Sequence, residues 1–159
     1  ALVNSAYRGD TGRQGWTTEA DLLDGSRISL ANVQALLADA DCTLLLGEAG
    51  GRLVACVELR RTGGQLYIGM LSVAPGLQGR GIGSLLMEAA EDHARRLGLD
   101  SLAMLVISRR HELIAWYLRQ GFLPTGETRA FRFADASFGI PRLPLEFMVL
   151  EKPLHGGSL

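Results

Sequence analysis

Leu71-Ser72-Val73-Ala74-Pro75-Gly76-Leu77-Gln78-Gly79-Arg80-Gly81-Ile82-Gly83-Ser84 is the stretch on which the reading of this chain turns. It runs from the end of a buried strand through a proline-marked turn into a glycine-rich loop, which opens directly on an amphipathic helix. Glycines at alternate positions 79, 81 and 83 keep Cβ atoms out of the way, so that successive backbone N–H groups can face a single anion. The helix that follows points the positive end of its dipole at the same place. The loop therefore predicts a pyrophosphate cradle. A plain strand-to-helix turn needs one or two glycines, not three in alternation.

The elements on either side follow from periodicity and punctuation. Upstream, Cys42–Glu48 and Leu53–Arg60 read as strands around a Gly50-Gly51 turn, and Thr62-Gly63-Gly64 turns the chain into a third strand, Gln65–Val73. Earlier still, Ser29 caps a helix running to Ala40, with Leu30, Val33, Leu36 and Leu37 as its apolar face. Thr17-Thr18-Glu19 opens a shorter helix that ends at Gly25. Ala1–Arg8 reads as the second half of a helix without a cap, as if its start, and an N-terminal strand with it, were missing. Downstream, apolar residues from Ile82 to Leu97 trace a helix that stops at Gly98, and Ser101–Ile107 is a near-continuous apolar strand of a sheet interior. Glu112–Gln120 is helical and ends at Gly121. Thr128–Phe133 and Leu145–Leu150 are antiparallel strands joined by the Gly/Pro loop 134–144. The pattern predicts one α/β domain over residues 1–159, with a mixed, mostly antiparallel sheet flanked by helices.

Composition narrows the function classes. The chain has 159 residues, 47% hydrophobic and 21% charged, and 16 basic residues stand against 17 acidic ones. A net charge of −1 supplies no field for nucleic acid or an anionic membrane, so neither is expected as a partner. Cys42 and Cys56 lie in apolar runs and read as buried free thiols of a reducing cytoplasm. Three histidines without a Cys/His cluster predict no metal site. No apolar stretch reaches transmembrane length, and no signal peptide opens the chain.

Two familiar phosphate loops fail on specifics. A dinucleotide fingerprint belongs after the first strand of a βαβ unit, with an acid roughly 20 residues on. Here the loop follows the third strand and the next strand ends in Ser108. A nucleoside-triphosphate loop requires Gly-Lys-Ser/Thr, and the loop has no lysine. What the residues do resemble is the GNAT superfamily of N-acetyltransferases. Gln78-Gly79-Arg80-Gly81-Ile82-Gly83 is similar to its Gln/Arg-x-x-Gly-x-Gly/Ala signature, with Leu71-Ser72-Val73-x-Pro75 as lead-in. Some 40 residues on, Ala115-Trp116-Tyr117-x-x-x-Gly121-Phe122 is similar to its second motif.

The resemblance implies an acyl-CoA N-acyltransferase fold and acetyl-CoA as co-substrate. Leu71, Ser72, Val73, Gln78, Gly79, Arg80, Gly81, Ile82, Gly83 and Ser84 would bind it, with the backbone N–H groups of 79–84 on the pyrophosphate. The strand around Met70–Val73 would splay from Ser101–Ile107, letting the pantetheine arm add itself like a strand. The Leu71 backbone N–H would face the thioester carbonyl and stabilise an oxyanion. Arg80 either touches phosphate or is solvated beside the loop. Tyr117 would be the general acid for the departing thiolate, its alternative being packing on the sheet with Trp116. Many relatives carry an asparagine seven residues before this tyrosine. Here that position is Arg110, whose neighbourhood, Ser108-Arg109-Arg110-His111, reads first as a solvated basic turn.

An amine acceptor that is protonated at neutral pH also needs a base. Glu58, inside the apolar run Val54–Leu59, is the candidate; strand alternation equally permits an outward-facing glutamate. Glu127 and Glu146 are weaker choices. Tyr7, Trp16 and Glu19 fall in the N-terminal section that forms one wall of the acceptor pocket in relatives, although Trp16 would equally plug the core. The loop 134–144 would form the opposite wall or a homodimer contact. The expected reaction is direct transfer of acetyl to a small-molecule amine in a ternary complex, without a metal. An acyl-CoA-sensing module, or a protein N-terminal or lysine acetyltransferase, are the alternatives.

Overall fold

The computed structural model describes residues 2–3, 23–24, 30–130, 140–141 and 146–154. Among these, β1 (Leu23–Asp24) precedes α1 (Leu30–Ala38), and three strands follow: β2 (Cys42–Ala49), β3 (Arg52–Thr62) and β4 (Gln65–Val73). After a short 3-10 turn at Pro75–Leu77 come α2 (Ile82–Arg96), β5 (Ser101–Ile107), α3 (His111–Arg119), β6 (Leu123–Ala130), β7 (Ile140–Pro141) and β8 (Glu146–Pro153). Six strands form one sheet in the order β2-β3-β4-β5-β8-β6, while β1 and β7 make a separate two-residue ladder. Every pairing in the large sheet is antiparallel except β4 with β5, so the sheet is mixed and mostly antiparallel, as expected.

Helices cover both faces. Ala55, Val57 and Leu59 of β3 and Leu66 and Ile68 of β4 pack with Leu86, Met87, Ala90 and Ala94 of α2 and with Ile114 of α3. The opposite face buries Cys56 and Met70 under Val3, with Leu2, Val33 and Leu36 packed alongside. Leu59, Leu66, Leu102 and Leu150 are almost wholly buried, each stabilising the fold by roughly 2 kcal/mol through the apolar area removed from water.

Four expectations need correction. Leu23 and Asp24 are extended and pair with Pro141 and Ile140, rather than ending a helix at Gly25. In α1 only Val33 and Leu36 meet the sheet, whereas Leu30 and Leu37 are 74% and 68% exposed. At about 100° per residue, those two leucines lie well round the helix from the line through Val33 and Leu36. Strand β6 starts at Leu123, five residues before the expected Thr128. It is an edge strand exposed along its whole length, so it lacks the alternation that marks a half-buried strand, and its Pro124 is tolerated because an edge has spare hydrogen-bonding groups. The last strand likewise runs on to Pro153.

Candidate active site

The site begins where the one parallel pairing fails. β4 and β5 are joined only at Gln65↔Ser101, Leu66↔Leu102 and Tyr67↔Ala103. Beyond Tyr67, β4 stays with β3 and β5 stays with β8, so the sheet forks. A bulge sets the direction of β4 at this point. The register against β3 shifts between Cys56↔Ser72 and Glu58↔Gly69, and Met70 takes the left-handed φ of +51°. One extra residue exchanges the faces: Ile68 points to the α2 side, Met70 to the other, and Leu71 and Val73 return to the α2 side. The hydroxyl of buried Ser72 donates to the Met70 carbonyl at 2.8 Å and so holds the bulge from within.

Past the fork the chain turns tightly. Ala74 N–H donates to the Val54 carbonyl at 2.8 Å, and Gln78 Nε2 donates back to the Val73 carbonyl at 3.1 Å. Gly79 and Gly81 sit at φ +81° and +83°, a conformation that side-chain-bearing residues resist. A Cβ at either would meet nothing within 4 Å. It is backbone conformation, rather than clearance, that calls for these two glycines. Gly83 is different: a Cβ there would lie 3.2 Å from Trp116 Cζ2, so this glycine makes room for an indole. Gly81 is the N-cap of α2 and gives it no side-chain cap, nor does the first turn carry an acid. The first helical hydrogen bond is Leu85 N–H to the Gly81 carbonyl, 3.1 Å. The N–H groups of Ile82, Gly83 and Ser84 therefore stand ahead of the ladder at the positive end of the helix.

The fork, the loop and α3 enclose a cleft of about 130 Å³ lined by Leu71, Val73, Leu77, Gln78, Gly79, Gly81, Ile82, Gly83, Ser84, Leu113 and Trp116. Of the residues expected to bind a cofactor, only Ser72, buried in the bulge, and Arg80, exposed beside the loop, are not in this wall. Leu77, Leu113 and Trp116 were missing from that expectation. The i, i+3 spacing of Leu113 and Trp116 is the signal that puts both on one face of α3. Gln120 Nε2 donates to Ser84 Oγ at 3.1 Å and ties the end of α3 to the start of α2. An uncapped helix terminus with an apolar slot behind it fits a phosphate headed by a long thioester arm.

The other candidates fall into distinct places. Tyr117 is buried (5% exposed), with its ring edge-on to Trp116 at 5.1 Å and to Phe122 at 5.8 Å. The cleft wall at this level is Trp116. Glu58 is also buried. It stands opposite Gly69, two residues past the last β4–β5 pair, on the face away from α2. Its Oε1 accepts from Cys42 Sγ at 3.5 Å and from Arg60 Nη2 at 3.4 Å, and Arg60 Nη1 is itself paired with Asp39 at 2.6 Å. Burial, with the Glu58 charge beside it, pushes the Cys42 thiol up to about 11; Cys42 is thus a protonated donor rather than a nucleophile. Arg110 is buried at 7% exposure, which corrects the expected solvated turn, while Arg109 is exposed. Tyr7, Trp16 and Glu19 lie outside the described residues. Among the described residues no His/Cys/Asp/Glu group is arranged to hold a metal ion, and no helix is long and apolar enough to cross a membrane.

Residues 10–122 match the family model described as Acetyltransferase (GNAT) family. The chain belongs to the GNAT family of acetyltransferases. As a member it is an acetyl-CoA-dependent N-acetyltransferase. It is 32% identical over 108 residues to an IAA acetyltransferase of Azospirillum brasilense, a match covering 67% of this chain and 70% of that one. Its fold superposes with a TM-score of 0.68 on the ribosomal-protein-S18-alanine N-acetyltransferase of Escherichia coli, at 17% identity, covering 87% and 86% of the two chains. A GNAT family acetyltransferase of Elizabethkingia anophelis with acetyl-CoA bound gives 0.63 at 17% identity, covering 79% and 84%.

Proposed function

We propose that this GNAT enzyme moves the acetyl group of acetyl-CoA to the amine of a small-molecule acceptor, directly and within a ternary complex. The observation that carries this reading is the fork between β4 and β5 ending at an uncapped helix terminus. The N–H groups at the start of α2 would hold the pyrophosphate, and the pantetheine arm would lie in the slot between Leu71, Val73, Leu113 and Trp116. The Leu71 backbone N–H, one residue past the bulge, would stabilise the oxyanion of the tetrahedral intermediate. Glu58 lies level with the fork but on the far face. An acceptor arriving from the α1 side would meet its carboxylate there and lose the ammonium proton to it. Tyr117, next to the Trp116 wall, would protonate the leaving thiolate. The small acceptor is favoured by the similarity to an IAA acetyltransferase over two thirds of the chain.

The test is release of free thiol from acetyl-CoA across a panel of amino acids, polyamines, aminoglycosides, arylalkylamines and short peptides. Turnover with at least one small amine, following ternary-complex rather than ping-pong kinetics, is expected. Turnover with peptides alone would sink the small-acceptor reading. Slow loss of thioester that no amine accelerates would sink the transfer reading.

A further inference from the structure

The surroundings of Glu58 carry an inference that rests on its reading as the base and goes further. Its two carboxylate oxygens face different neighbours. Oε1 accepts from Cys42 Sγ of β2 and Arg60 Nη2 of β3. Oε2 leans over the backbone of β4 at Gly69, where a Cβ would stand 2.7 Å from it and 3.3 Å from Tyr67 Cε1. Glycine at 69 is not required by its own backbone, because Gly69 is absent from the positive-φ residues. The missing side chain serves the carboxylate. We infer that Gly69 is a positioning residue: its bare Cα is the seat of Glu58 Oε2, and the Cys42 thiol and Arg60 hold Oε1 from the other side, so that the carboxylate stands at the fork. Among the described residues, Cys42 from β2 and Arg60 from β3 contact Glu58, Asp39 anchors Arg60, and Tyr67 of β4 flanks the Gly69 position. The facing helix α1 (Leu30–Ala38) carries no titratable side chain.

The nearest atoms that a methyl group at 69 meets are the terminal carboxylate of Glu58 and the edge of Tyr67, side chains rather than backbone. Gly69→Ala therefore should fold normally and turn the carboxylate aside. Cys42→Ser keeps a donor to Oε1, whereas Cys42→Ala removes it. With the amine that turns over fastest in the thiol-release panel, Gly69→Ala should lower kcat about tenfold or more and move the acid-side limb of the pH profile, with KM for acetyl-CoA within about twofold. Cys42→Ala should lose several-fold in kcat and Cys42→Ser should recover most of it.

A second readout is independent of any acceptor. In a Cys56→Ala background, alkylation of Cys42 by iodoacetamide reports the carboxylate beside it. Glu58→Gln should accelerate it, since the thiolate no longer faces a negative charge, and Gly69→Ala should change it by about threefold or more. An alkylation rate and a kcat unaltered by Gly69→Ala would overturn the positioning role whatever Glu58 does. Full activity of Glu58→Gln, with alkylation still altered by Gly69→Ala, would instead overturn the base and leave the seat in place.

Discussion

Gly81 and Gly83 are two residues apart in the chain, and exchanging each for alanine asks a different question. At Gly81 the methyl meets open space but the backbone sits at φ +83°. Gly81→Ala should cost about 1–2 kcal/mol of stability, read as a lower denaturation midpoint, and, if the loop amides hold the pyrophosphate as proposed, weaken coenzyme A in calorimetry. Gly83 is inside α2, where alanine gains up to about 1 kcal/mol in helix propensity, but its methyl presses on Trp116 at 3.2–3.4 Å. Gly83→Ala should leave the midpoint nearly unchanged and raise KM for acetyl-CoA, because the indole that walls the cleft must shift. Tyr117→Phe deletes one oxygen and preserves the edge-on contacts with Trp116 and Phe122. Turnover should fall by about 10²-fold if the phenol is the acid, with acetyl-CoA affinity little changed; wild-type turnover would return Tyr117 to the core alone. The three loop glycines, 79, 81 and 83, look alike in the sequence. What separates them is one indole 33 positions away and two backbone angles set by the packing of a loop, and neither can be read along the chain.

At the level of elements, the readable parts were those with a single strong cause. Ser101–Ile107 is a near-continuous apolar run closed off by Gly98 before it, and the observed β5 has the same bounds. The hairpin strands and α2 were equally legible from turn glycines and a 3.6-residue period. The face exchange at Met70 was not, since Gln65–Val73 alternates in burial without a break, and only the register against β3 reveals the extra residue. The start of β6 leaves no mark in the sequence pattern because the strand pairs with β8 through backbone bonds rather than burial. One inter-element tie invites a direct test. Lys152 of β8 donates to the Gln120 carbonyl at the end of α3, 2.7 Å, and pairs with Glu91 of α2. A Cβ on Gly121 would lie 3.0 Å from Lys152 Cε, so that glycine clears its path. Lys152→Met keeps much of the apolar stem but leaves Glu91, which is 16% exposed, with only the longer contact to Arg95 at 3.9 Å. A loss of about 1–3 kcal/mol in urea denaturation is expected.

Taken as a whole, the molecule should be most stable between neutral and mildly alkaline pH. Burial, helped by Arg96, holds the His93 imidazole below its ordinary 6.5. The unfolded chain then takes up that proton first, and stability falls as pH drops through 6.5. The Cys42 thiol lies on the other side, raised from 9.0 to about 11. Its contribution is intact below pH 9 and is lost as pH rises towards 11, because the unfolded thiol ionises earlier. Denaturation midpoints followed from pH 5 to 11 should decline at both ends. Cys42→Ala should flatten the alkaline decline, and an unchanged slope in that variant would place the cause elsewhere. The forked sheet has a mechanical meaning as well. Strands β2-β3-β4 and β5-β8-β6 are two plates riveted along a seam of three residue pairs at one end. Tweezers built this way are stiff at the seam and compliant at the tips, and anything gripped between the tips lends its own stiffness to both arms.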